Sequence, residues 1–87
     1  MPKVFIPPAL QTLTAGNAMV VVAGQSVNEA LDVLEARYPQ LQGKLRTAEG
    51  LRPGLRIVVG HRAAPLGLRT PVQPEDEIHF LPALGGG

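Results

Sequence analysis

Ser26-Val27-Asn28-Glu29-Ala30-Leu31-Asp32-Val33-Leu34-Glu35-Ala36-Arg37-Tyr38-Pro39 is the stretch that decides the fold. Ser26 precedes Glu29 by three residues, the spacing of a capping box. The serine hydroxyl accepts from the Glu29 amide, and the glutamate carboxylate reaches back to the Ser26 amide. Val27, Leu31, Leu34 and Tyr38 recur at i, i+4, i+7 and i+11, which lines them along one side of a helix. Pro39 disfavours helical geometry at Tyr38, so the spacing predicts a helix over 27–38. Asp32 and Glu35 fall on the other side and, with Glu29, read as a solvated face.

Strands flank this helix. Lys3 to Pro7 alternates, with Val4 and Ile6 on one face and Lys3 and Phe5 on the other. Pro7-Pro8 ends the pairing, and residues 8–17 form a connection that turns at Gly16-Asn17. Residues 18–23, AMVVVA, make a second, valine-rich strand that Gly24-Gln25 breaks. After the helix, residues 40–54 read as a loop with a short helical turn at 42–47. Leu55 to Val59 is a third strand, Gly60-His61 a turn, and Arg62 to Pro65 a short fourth strand. A loop over 66–76 leads to the last strand, Glu77 to Leu81. Ile78 and Phe80 share one face of it, and Glu77, His79 and Leu81 the other. Strands, one helix, then more strands predict an α+β domain: the ubiquitin-like β-grasp, a mixed sheet of four to five strands with one main helix packed on one face. The crossover helix is expected to leave the strands on either side of it parallel.

Composition narrows the function. The chain has 87 residues, 45% hydrophobic and 17% charged, which is enough apolar content for one core and no more than one. We expect a β-grasp domain over 1–82 followed by a flexible glycine tail over 83–87. The net charge of +1 argues against a nucleic-acid partner. Cysteine is absent, which excludes disulfides, thiolate catalysis and cysteine-based zinc sites. His61 and His79 have no partners at metal-ligand spacing, so we expect no metal and surface or structural roles for both. No apolar run reaches the length of a membrane span, and Met1-Pro2-Lys3-Val4 does not open a signal peptide, so the expectation is a cytoplasmic protein without a membrane partner. Arg52, Arg56, Arg62 and Arg69 gather in the second half and could form a basic patch for a partner protein.

The sequence finishes Ala83-Leu84-Gly85-Gly86-Gly87. Without Cβ atoms, such a segment threads a narrow channel in any backbone conformation. Residues 84–87 extend at most roughly 13 Å, enough to carry the terminal carboxylate into another protein's active site. That carboxylate is ionised at neutral pH and is a poor electrophile. Chemistry there needs activation, most simply adenylation by a partner enzyme.

The chain resembles the MoaD/ThiS family of ubiquitin-like sulfur carriers. The resemblance rests on Lys3-Val4-Phe5-Ile6, on Ser26-Val27-Asn28-Glu29-Ala30-Leu31, on Leu34 to Pro39, on Leu55 to Val59, and most of all on Pro74-Glu75-Asp76-Glu77-Ile78-His79-Phe80-Leu81-Pro82-Ala83-Leu84 with its terminal glycines. Within the family, Ile6-Pro7-Pro8-Ala9-Leu10 and 34–39 look most similar to the carrier of sulfide-dependent cysteine synthesis, with the molybdopterin synthase small subunit next. The resemblance implies a carrier rather than an enzyme, binding no cofactor of its own. A ubiquitin-activating-type enzyme would use ATP to adenylate Gly87, and sulfur would replace AMP to give a thiocarboxylate. A sulfur-accepting synthase of the cysteine, molybdopterin or thiamine type would then take the sulfur. Gly87 would bear the reacting carbon and Gly86 the side-chain-free approach. Two departures stand out: three glycines where the family usually has two, so that Gly85 lengthens the tail, and Pro74-Glu75-Asp76 where an Asp-Gly-Asp turn is usual.

Phe5 and Leu81 lie on strand faces opposite the presumed core. With Leu84 and Gly85 they are the expected docking surface for the activating enzyme. Three other functions compete: a modifier joined to lysines of target proteins, an interaction module with an inert tail, and a small synthase subunit whose tail stays inserted in a larger one.

Overall fold

The computed structural model describes residues 1–64 and 66–82. Seven strands, one α-helix and three short 3-10 helices follow in chain order. The strands are β1 (Lys3–Phe5), β2 (Met19–Val21), β3 (Arg46–Thr47), β4 (Gly50–Leu51), β5 (Leu55–Val59), β6 (Arg62–Ala63) and β7 (Glu77–Pro82), and the helix is α1 (Val27–Arg37). Five strands make one sheet in the order β2-β1-β7-β5-β6, and β3-β4 is a separate two-stranded hairpin. The first and last strands run parallel at the centre, Val4 beside Ile78 and Phe5 beside His79, while every other pair in the sheet is antiparallel. This is the mixed α+β sheet with one main helix that the element order predicts. The sheet strands on either side of the helix, β2 and β5, run in the same direction as expected, but the hydrogen-bonded parallel pair is β1 and β7: the crossover brings the chain back beyond its first strand, and β7 fills the gap.

The helix starts and stops where its sequence directs. Ser26 Oγ accepts from the Glu29 amide at 3.1 Å. The reciprocal bond differs from expectation: Glu29 Oε1 accepts from the Gln25 amide at 3.0 Å, one residue further back. Tyr38 caps the C-terminus. Val27, Ala30, Leu31 and Leu34 are fully buried against Val4, Val20, Val22, Ile57, Ile78 and Phe80 of the sheet. Each such leucine contributes about 1.5–3 kcal/mol by leaving water. Gly24 lets β2 hand over to the helix at close range, since a Cβ there would stand 2.7 Å from the Ala30 amide nitrogen.

Three loop readings are corrected. Residues 8–14 form a 3-10 helix, with Thr14 buried and its hydroxyl 2.8 Å from the Asn17 carbonyl. The turn expected at 42–47 lies earlier, at Pro39–Leu41. Residues 46–51 are the β3-β4 hairpin. Pro82 closes β7 opposite Leu55 and does not stop the strand before it, because a strand can end on a residue without an amide to donate. Pro65, expected to end the fourth strand, lies outside the described residues.

The acidic side of α1 is not simply solvated. Arg46 reaches over from β3, donating through Nη2 to Asp32 Oδ1 at 2.6 Å, through Nε to Glu35 Oε2 at 3.2 Å and through Nη1 to Asn28 Oδ1 at 2.8 Å. Burial works against the guanidinium charge, but the bonds to Glu35 and Asp32 outweigh it and hold the proton more firmly than usual. This clamp fastens the hairpin to the helix.

Candidate functional site

One face of the sheet carries the helix; the other is open. Strand alternation decides which side chains line it. On β1 and β7 the buried residues are Val4, Ile78 and Phe80, so Phe5, Glu77, His79 and Leu81 turn to the open side. The register then places Met19, Phe5, His79, Val58 and Ala63 side by side, one from each strand, in a row across the whole sheet. Met19 and Val21 are each 39% exposed and Leu81 37%.

Phe5 and His79 stack, with ring centroids 4.3 Å apart and planes at 10°. His79 Nε2 lies 3.2 Å from Glu77 Oε1, which fixes the imidazole over the phenyl ring. Lys3 lies beside Glu77, and Arg56 beside Leu81, so charge borders an apolar row. The face can bury a partner's apolar surface while its rim pairs with charge; among the described residues it holds no nucleophile–base pair.

Phe5 and Leu81 therefore share one face, as expected of a docking surface. Leu84, Gly85, Gly86 and Gly87 lie outside the described residues. β7 leads toward them: Leu81 and Pro82 are the last described residues, and Leu81 is already on the open face. Sequence reasoning missed Met19, Val21, Val58 and His79 as members of the site. The run AMVVVA is apolar on both faces and gives no alternation to read, while His79 looked like a lone surface histidine. The expected basic patch does not form as one surface. Arg56 pairs with Leu81 on the open face, whereas Arg62 pairs with the buried Val59 and belongs to the opposite face. Among the described residues no cluster of three or more potential ligands could hold a metal. No described helix is long and apolar enough to cross a membrane.

The sequence matches the ThiS family over residues 4–87. The chain belongs to the ThiS family. No curated protein sequence matches this ThiS-family chain. Among solved structures, it resembles a chain of the Amycolatopsis orientalis BexX/CysO complex, with 30% identity, complete coverage of both chains and a TM-score of 0.87. Mycobacterium tuberculosis CysO is 26% identical over 97% of this chain and 100% of its own, with a TM-score of 0.84. The small archaeal modifier protein 1 of Methanosarcina acetivorans is 25% identical over 99% of this chain and 95% of its own, with a TM-score of 0.79. The ThiS-family chain thus shares its ubiquitin-like β-grasp with the two CysO structures and with the archaeal modifier protein.

Proposed function

We propose that this protein carries sulfur as a C-terminal thiocarboxylate on Gly87. The observation that carries the reading is the match to the ThiS family through residue 87, together with the likeness to CysO over the full chain. In this account the protein is a co-substrate and not a catalyst. A ubiquitin-activating-type enzyme docks on Phe5, His79, Leu81 and the row around them. It draws residues 83–87 into its site and transfers AMP from ATP to the Gly87 carboxylate, releasing pyrophosphate. A sulfur donor then displaces AMP, and the thiocarboxylate passes sulfur to a synthase. The chain's own part is to present an acyl group without side chains at the end of a strand braced on both sides by β1 and β5. Among acceptors we favour a cysteine-forming one, on the resemblance of Ile6-Pro7-Pro8-Ala9-Leu10 and residues 34–39 to the carrier of sulfide-dependent cysteine synthesis.

The likeness to an archaeal modifier protein supports a second reading, in which the same adenylated Gly87 is transferred to lysines of target proteins. Both readings require pyrophosphate release by the activating enzyme, and they part at the acceptor. Incubation with the activating enzyme and ATP should release pyrophosphate with the full chain and none with a chain lacking Gly86-Gly87. Equal release from both chains refutes both readings. Isopeptide adducts in place of a thiocarboxylate select the modifier.

A further inference from the structure

The outer edge of β2 is a surface distinct from the open face. Among the described residues β2 has a single neighbour, β1. The Ile6 amide donates to the Ala18 carbonyl at 2.8 Å and the Val22 amide to the Pro2 carbonyl at 3.0 Å, so the peptide groups of Ala18, Val20 and Val22 turn toward β1. By the same alternation the peptide groups of Met19 and Val21 turn outward. The Val21 carbonyl is met by Arg37 Nη1 at 3.2 Å, a side chain reaching from the last turn of α1. Among the described residues the Met19 and Val21 amides have no backbone acceptor. Native edges are shielded by proline, bulges, inward charges or a covering segment. This one is shielded by one exposed arginine, and among the described residues that arginine pairs with no carboxylate, because Arg46 takes Asp32 and Glu35.

We infer that the β2 edge binds an extended acidic segment of a partner protein, which pairs with Met19 and Val21 as a sixth strand of the sheet. Unpaired amides supply the main-chain bonds of such an addition, and alternate side chains supply its specificity. On the open side the added strand meets the half-exposed Met19 and Val21, so it needs apolar residues at alternating positions. Beside α1 it meets Arg37, whose remaining N–H donors fit a carboxylate. Charge complementarity therefore selects an acidic strand over a basic one.

The test uses the full chain and two capped synthetic peptides of alternating valine, one with aspartate and one with lysine between the valines. The aspartate peptide should bind, and amide hydrogen exchange should slow at Met19 and Val21. Val21→Pro removes an outward amide while leaving the bonds to β1 intact, since edge strands accept proline where the N–H faces solvent. It should weaken binding by about tenfold or more, the loss of roughly one good hydrogen bond to the strand. Met19→Pro repeats the experiment at the other outward amide if Val21→Pro fails to fold. Arg37→Glu should reverse the preference to the lysine peptide. Undiminished binding by both proline variants overturns the inference, as does protection at Phe5 and Leu81 in place of β2. Concentration-dependent protection of β2 without peptide also overturns it, because the edge then pairs with a second copy.

Discussion

Arg46 and Leu81 show how single side chains divide between holding the fold and serving the site. Arg46 satisfies Asp32, Glu35 and Asn28 at once, and Glu35 is nearly buried beneath it, 12% exposed. Arg46→Ala should lower unfolding free energy by about 1–3 kcal/mol, read by denaturant titration, because hydrogen bonds to charged groups are among the stronger ones. Arg46→Lys should recover only part of this, since an ammonium cannot fork across two carboxylates. The guanidinium holds its proton more firmly folded than unfolded, so its stabilisation is complete below its unfolded titration range and fades only far into alkali. Stability measured through neutral pH should therefore show no step that Arg46→Ala removes. Leu81 behaves oppositely. It is exposed, and Leu81→Glu should leave the melting transition within about 0.5 kcal/mol of the parent, as exposed substitutions do. The same change should abolish adenylation by the activating enzyme; unchanged kinetics would remove Leu81 from the docking face. This clamp and the Phe5–His79 stack were illegible in the sequence for one reason. Each joins residues far apart in the chain whose meeting depends on strand order.

Among the elements, α1 was the most legible. Its cap, apolar stripe and proline stop lie within one short stretch and act through local geometry. Ser26→Ala should cost about 0.5–2 kcal/mol through the lost bond to the Glu29 amide. Leu34→Ala, in the fully buried stripe, should cost about 2–5 kcal/mol by denaturant unfolding. A cost below that of the cap would mean the helix does not pack on the sheet as described. The hairpin β3-β4 was hidden because its strands are two residues each and show no alternation; Arg46 and the buried Leu45 hold it in place. β7 was legible as a strand from Glu77-Ile78-His79-Phe80-Leu81. Its place between β1 and β5 was not, since nothing local states that the last strand runs parallel to the first.

For the molecule as a whole, the sheet gives the tail its setting. β7 is held by neighbours on both sides, its last described residues stand beside an apolar row, and residues 83–87 follow directly. The glycine run over 85–87 is read from composition alone, and it lies outside the described residues. The row proposed for docking needed the structure, since it is assembled from five strands. The central claim is that the last carbonyl becomes a sulfur-bearing acyl group. Incubating the full chain with ATP, a sulfide source and the activating enzyme, then recording the intact mass with a chain lacking Gly86-Gly87 in parallel, because oxidation of Met1 or Met19 would raise both masses alike, tests it most directly. The account predicts a gain of about 16 Da, sulfur for oxygen, in the full chain alone, dependent on ATP and reversed when the ionised carboxylate is restored by hydrolysis. An unchanged mass under conditions where the enzyme releases pyrophosphate would contradict it.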